Sequence, residues 1–229
     1  MRSSACRTIR GTYGGFSARL ASRFSGRAEY WRVPVRRRRI AGSAIRTRTS
    51  KKTRREGRAL IFTDEASFRQ DSTLHATWSR VGHPPEVPVT GQRKSIKILG
   101  AVELYRARFL YRRDDVFNAA TYLAFLKQEI APRYRRQGAV LVQDNASYHK
   151  DGNVWAWFSA NRHWLDVHQL PSYSPEFNAT ERMWQHTRKE GTHNRYFVTV
   201  DELYGTLTRV FADMQLQPET IRPYLLPFC

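Results

Sequence analysis

Hydrophobic and polar positions show little regular pattern before residue 58 and fall into clear periods after it. Arg58–Thr63 is an apolar, β-branched run that predicts a first strand ending at Asp64. Residues 65–93 are polar and proline-rich and predict an insertion, with a short strand around Trp78–Val81 and a turn at Gly82-His83-Pro84-Pro85. Ile96–Leu104 and Ala107–Arg112 predict two strands joined by a tight turn. Tyr122, Leu123, Phe125, Leu126 and Ile130 recur at helical spacing and place a helix over Asn118–Arg135. Ala139–Gln143 is a strand that runs into Asp144, Asn153–Ala160 a short helix, and Trp164–Leu170 another strand. Ser174 as cap, Pro175 in the first turn and Glu176 at the positive dipole end predict a helix carrying Glu181. Thr199-Val200-Asp201-Glu202 reads as a capping box opening a last helix to about Met214, and the proline-rich 218–229 segment as irregular. Strands joined by hairpins, then strands alternating with helices, imply an α/β domain: a mixed sheet flanked by helices.

Charge divides the chain at the same place. Of 39 basic and 20 acidic residues, 18 and 2 lie in residues 1–58, a net of +16, which leaves +3 for residues 59–229. Residues 1–57 are therefore expected to be a basic, disordered arm, and 58–229 a near-balanced folded domain. Such an arm attracts polyanions with steep salt dependence and little sequence preference. Its arginine-rich composition also fits a truncated or mis-framed start, and a localisation signal or RNA-binding tail is a further reading. No run of 18 apolar residues exists, so no membrane partner is expected. Cys6 and Cys229 lie far apart without metal-ligand spacing, which fits a reducing cytoplasm.

Three acids stand out: Asp64 in LIFTDEASF, Asp144 in VLVQDNASYH and Glu181 in SPEFNATERMW. Carboxylates at two strand ends and on a nearby helix suit a pair of divalent ions about 4 Å apart for phosphodiester chemistry. The intervals are 79 and 36 residues.

FTDEASF, VQDNASYHK and LPSYSPEFNATERMW together resemble the three sequence blocks of DDE transposases of the mariner superfamily, in its bacterial insertion-sequence branch. The resemblance covers roughly residues 58–214, including the insertion with Trp78, Gly82 and Pro84-Pro85. It implies a ribonuclease-H-like fold and cut-and-paste DNA transposition. It also implies two Mg²⁺ (or Mn²⁺) ions held by Asp64, Asp144 and Glu181. DNA is the implied partner, as transposon ends and target, with a homodimer in the DNA complex. The protein would be cytoplasmic, and nucleoid-associated when DNA-bound. Family members usually carry helix-turn-helix modules before this domain, and residues 1–57 contain nothing resembling them.

Several residues have competing readings. Glu176 is a rival third ligand; five residues before Glu181 on a helix, it would lie about 140° away. Asn178 shares a helical face with Glu181 and could orient its carboxylate or touch phosphate. Glu65 should point to the opposite face of the strand from Asp64 and be structural. Asn145 could hydrogen-bond near the metals or simply form a turn. His149 could meet phosphate or a leaving group, or be a satisfied surface histidine. Lys150, Arg182 and Lys189 could contact the DNA backbone. Trp155, Trp157 and Trp184 read as core. Two other functions remain open: an inactive transposase fragment that binds DNA nonspecifically through its arm, and another ribonuclease-H-like nuclease.

Overall fold

The computed structural model describes residues 7–8, 50–71, 73–81, 83, 86–89, 91, 94–171 and 174–228. Helix α1 (Ser50–Arg55) precedes β1 (Ala59–Arg69), β2 (Ser95–Glu103) and β3 (Arg108–Asp114). Helix α2 (Ala119–Phe125) continues as a π turn over Leu126–Ile130 and an α turn over Ala131–Tyr134. Then follow β4 (Ala139–Gln143), α3 (Gly152–Ala160), β5 (Leu165–Gln169), α4 (Ala179–Thr187), α5 (Val200–Leu216) and the short α6 (Arg222–Leu225). The strands form one sheet in the order β3-β2-β1-β4-β5. The two hairpin contacts, β1–β2 and β2–β3, are antiparallel, whereas β1–β4 and β4–β5 are parallel. This is the mixed, helix-covered sheet that the ribonuclease-H-like expectation describes.

Alternation along β1 divides the core. Leu60, Phe62, Ala66 and Phe68 face α4, α5 and the C-terminal turns, while Ala59 and Ile61 face α2 and α3. All five residues of β4 are buried, as a central parallel strand covered on both faces requires. The β2–β3 turn has no glycine; Ala107 takes the left-handed conformation at φ 52°. Glu103 holds that turn, accepting the backbone N–H groups of Tyr105 and Arg106, each at 3.1 Å. In α2, the π turn ends beside Pro132, which has no N–H to give to the carbonyl four residues back; the wider turn absorbs that loss.

Four expectations change. β1 does not stop at Thr63. Residues 64–69 continue to pair with β2, from Asp64↔Gly100 to Arg69↔Ser95, because Ala66 and Phe68 alternate inward. Pairing with β4 ends at Phe62↔Val142, so Asp64 lies mid-strand but past the end of its neighbour. Second, Ser174 does not cap the helix of Glu181. Pro175–Phe177 is a separate 3₁₀ turn, and Asn178 caps α4 by accepting the Thr180 N–H at 3.1 Å. Third, the C-terminal segment is not irregular: 3₁₀ and α turns bury Ile221, Leu225 and Phe228 in the core. The prolines punctuate helical turns without preventing them.

Fourth, the arm does not remain unstructured up to residue 57. Ser50 and Thr53 of α1 are buried, Tyr105 Oη donates to the Ser50 carbonyl at 2.6 Å, and the Arg58 N–H donates to the Thr53 carbonyl at 3.1 Å. Arg7–Thr8 pairs antiparallel with Trp78–Ser79, where the short strand was expected. The remainder of residues 1–49 and the Gly82, Pro84 and Pro85 turn positions lie outside the described residues. At the other capping box, Thr199 accepts the Glu202 N–H as expected, but Glu202 reaches back to the Val198 N–H, one residue earlier than the motif implies.

Helix α1 therefore belongs to the domain. A chain of residues 50–229 should be more stable than one of residues 58–229 by about 1–3 kcal/mol, the value of a few net hydrogen bonds. Urea unfolding of the two chains measures the difference, and equal stabilities would place the boundary back at residue 58.

Candidate active site

Asp64, Asp144 and Glu181 line one cleft of ≈ 360 Å³, together with Asn145, Ala146, Leu170, Pro171, Ser174, Pro175 and Asn178. Three elements bring them there. Asp64 comes from the part of β1 that outruns β4, Asp144 from the residue directly after β4, and Glu181 from the first turn of α4. The start of α4 is anchored to β1. Asn178 Nδ2 donates to the Thr63 carbonyl at 3.3 Å and Thr180 Oγ1 to the Phe62 carbonyl at 2.9 Å. These bonds fix where Glu181 enters the cleft, and the helix dipole favours a carboxylate there.

Asp64 is only 9% exposed. Its carboxyl is pushed up to about 8, mainly by burial and then by the charges of Glu65, Glu181 and Asp144. Its Oδ2 accepts the indole N–H of Trp184 at 3.1 Å. Trp184 is buried as expected, yet it is also part of the site's wall. Its ring lies edge-on to Phe68 and Phe109, each 5.9 Å away. It lies so close to Gly100, the cross-strand partner of Asp64, that a Cβ there would stand 2.2 Å from its ring.

Asp144 has a different environment. Its side chain is 45% exposed, and Oδ1 takes both the Ala146 N–H and His149 Nδ1, each at 3.0 Å. Burial opposes the charge, but the His149 hydrogen bond, the Ala146 N–H and the imidazolium outweigh it and hold the carboxyl below its usual range. His149 is not a surface histidine. It is fully buried, with Nε2 3.1 Å from Glu65 Oε1, and packs against the rings of Tyr122 at 4.2 Å and Tyr148 at 4.7 Å. Burial alone would lower its pKa; hydrogen bonds and charge from Asp144 and Glu65 push it up to about 9. Glu65 does point to the opposite face from Asp64, where it balances this imidazolium.

Glu65, Asp144 and His149 also lie close enough together to resemble a metal site. The imidazolium argues against one, since both ring nitrogens donate to carboxylates and no lone pair is left for a cation. Asp64, Asp144 and Glu181 are a better fit. They are all-oxygen donors, they face one cleft, and like charge raises Asp64, a cost that a divalent cation would offset.

The other predicted residues divide. Asn145 lines the cleft. Asn178 also lines it but serves as cap and anchor, being at the start of α4 and not within it. Glu176 is exposed in the preceding 3₁₀ turn and not among the cleft residues, so the helical angle assigned to it does not apply. Lys150 is exposed after the cleft loop, Arg182 is held by Gln185 at 3.0 Å, and Lys189 lies 3.6 Å from Glu190. Trp155 is 45% exposed and is not core, whereas Trp157 is half-buried.

Residues 59–204 match the family model described as DDE superfamily endonuclease. The chain is 25% identical over 135 residues to an insertion element IS630 uncharacterized 39 kDa protein of Shigella sonnei, covering 59% of this chain and 39% of that protein. It is also 25% identical over 139 residues to the transposable element Tcb2 transposase of Caenorhabditis briggsae, covering 56% and 50%. The chain thus spans half or less of these relatives. Among solved structures, the Mos1 mariner paired end complex with Mn has TM-score 0.59 and 16% identity, covering 84% of this chain and 58% of that one. The catalytic domain of Mos1 mariner transposase has TM-score 0.53 and 16% identity, covering 84% and 86%. These two share the fold.

Gly100→Ala should destabilise the domain by about 1–3 kcal/mol, because neither the β2 backbone nor the wedged indole has room to move. Chemical unfolding tests this, and a neutral substitution would mean that Trp184 is not packed as described. Stability should also fall as pH rises. Folded Asp64 holds its proton from its ordinary 3.8 up to about 8, and folded His149 from 6.5 up to about 9. Across that window the native state binds more protons than the unfolded chain. His149's contribution is complete below about 6.5 and lost as pH passes about 9. Asp64's ionisation penalty grows above its ordinary value and is complete above about 8. Melting temperature in chelator should decline steadily from about pH 5 to about pH 9, and a rise over that range would contradict both shifts.

Proposed function

Because the chain belongs to the DDE superfamily endonuclease family, we propose that its domain cuts DNA strands and joins them to new sites in cut-and-paste transposition. The convergence of Asp64, Asp144 and Glu181 on one cleft carries this reading. These three carboxylates would hold two Mg²⁺ or Mn²⁺ ions. Such ions, when bound, make the attacking oxygen nucleophilic and stabilise the leaving one.

In cleavage, water attacks a phosphodiester phosphorus and a P–O3′ bond breaks, freeing a 3′ hydroxyl. In transfer, that hydroxyl attacks a target phosphodiester and displaces another 3′ oxygen. The chain's own residues prepare the site. Trp184 orients Asp64. The His149 imidazolium, backed by Glu65, keeps Asp144 ionised and holds its Oδ1. Asn178 and Thr180 set the position of α4 and so of Glu181. Asn145 lines the cleft, where its amide can meet a phosphate oxygen. Transposon ends and target DNA are the partners in this reading, in the cytoplasm, with two copies of the chain in the DNA complex.

Purified protein should nick supercoiled plasmid with Mn²⁺ or Mg²⁺, and Asp144→Asn should abolish nicking while leaving the fold intact. Mn²⁺ should also raise the melting temperature near pH 8, and Asp144→Asn should remove that rise. Nicking retained in the variant would overturn the site. A folded protein that binds DNA but neither nicks nor responds to Mn²⁺ would favour an inactive fragment.

A further inference from the structure

A second cavity, of ≈ 370 Å³, lies at the other end of the sheet, lined by Arg54, Arg58, Arg106 and Arg222 with Glu103, Tyr105 and Gln137 among its neighbours. Arg58 precedes β1, Glu103 ends β2 and Gln137 precedes β4, so this is the end of β1 away from Asp64. Six strand residues from Arg58 to Asp64 separate the two sites by about 20 Å.

The four arginines are unequally committed. Arg58 is structural, ion-paired to Asp166 and donating to the Ala139 carbonyl at 2.7 Å. Arg222 is paired with Glu219 at 2.9 Å. Arg106 donates to Gln137 Oε1 at 3.3 Å and lies within electrostatic reach of Glu103 without an ion pair to it, and no acidic partner is found for Arg54 among the described residues. The one carboxylate in the lining, Glu103, is turned to the backbone N–H groups of Tyr105 and Arg106 and is 2% exposed. The cavity thus offers two guanidiniums, those of Arg54 and Arg106, that are held in no ion pair among the described residues, while Asp166, Glu56 and Glu219 are taken up by Arg58 and Arg222.

Helix α1 adds to this. Buried Ser50 and Thr53 dock it, which leaves Lys51, Lys52, Arg54 and Arg55 exposed, with Arg54 lining the cavity. The preceding 49 residues hold 13 arginines and a single acid, Glu29, and join the domain here. A polyanion attracted by that segment would meet α1 and the cavity next. Guanidiniums recognise phosphate oxygens through paired N–H donors, and four of them line this cavity, which suits a phosphodiester.

We propose that Arg54 and Arg106 form a second nucleic-acid backbone contact, a phosphodiester site at the sheet end opposite the carboxylate cleft. It binds without reading sequence and without metal, so its test is independent of the cleavage reading. Affinity of the full chain for duplex DNA is measured by fluorescence anisotropy across a salt series in EDTA. The double variant Arg54→Gln/Arg106→Gln is compared with a control that removes the same charge elsewhere, Lys127→Gln/Arg162→Gln. Both pairs are exposed, so the fold should survive, which melting temperature verifies. Loss of two phosphate contacts should lower the log–log salt slope by about 1.8, with a smaller change in the control. Equal changes in both doubles would mean general charge attraction, and an unchanged slope in the Arg54/Arg106 double would mean no contact; either overturns the proposal. Inorganic phosphate at matched ionic strength tests the alternative source. If it stabilises the wild type but not the Arg54/Arg106 double while DNA slopes stay equal, the cavity takes a free anion and the backbone assignment fails.

Discussion

Four carboxylates gathered around the middle of one strand are the constraint from which much of this domain follows. Asp64, Glu65, Asp144 and Glu181 repel one another, and burial of Asp64 raises the cost of its charge. The fold answers differently on the two faces of β1. On the Glu65 face, a buried imidazolium is wedged between two carboxylates and two tyrosine rings, and it neutralises part of the charge up to about pH 9. On the Asp64 face, the donors found among the described residues are neutral: the indole N–H of Trp184 and the Glu65 backbone N–H. That face is left undercompensated, and its cleft is open. The asymmetry explains why Glu65–Asp144–His149, although compact, is a closed ion-pair relay, whereas the looser Asp64–Asp144–Glu181 set is the one with electrostatic demand for a cation.

Holding such a site in place requires strong local packing. Trp184 can approach β2 this closely only because residue 100 has no side chain, and the same ring both fills the core and donates to Asp64. Two hydrogen bonds tie the start of α4 to β1 just where β4 stops pairing with it. Sheet, helix and carboxylates are therefore positioned by one set of contacts, and substitutions at Gly100, Asn178 or Thr180 would act on stability and on the cleft together.

Much of this was legible in the sequence because its signals are local. The buried run Ala139–Gln143, the helical spacing from Tyr122 to Ile130 and the Thr199 cap need no distant partner to be recognised, and the three acid-bearing blocks specify the cleft. What escaped depends on tertiary context. β1 looked finished at Thr63 because Asp64, Glu65 and Ser67 interrupt its apolar run; only β2 across the sheet and the helices beneath explain why it continues to Arg69. Ser174 looked like the cap because Pro175 and Glu176 follow it as a first turn would; the bond from Asn178 to Thr63 fixes the later start. His149 gives no local sign of burial, because its two carboxylate partners are 5 and 84 residues away. The need for a glycine at residue 100 depends on Trp184, 84 residues on, and so has no local sign.

The unequal exposure of the two aspartates then has a chemical consequence. Asp144 stands at a strand end with a half-exposed side chain, one oxygen held and the other uncommitted among the described residues, and its charge is secured by the relay. Asp64 lies mid-strand, nearly buried and protonated up to about pH 8. Were the cleft to hold a divalent cation as proposed, Asp144 would offer a ready anion and Asp64 would have to give up its proton. Occupancy in such a site is linked to proton release near neutral pH, and it grows more favourable as pH rises. The free protein becomes less stable over the same interval. In the proposed reading the opposing trends share one origin: the ionisation of Asp64, which costs the free fold stability, would supply the second carboxylate to a cation.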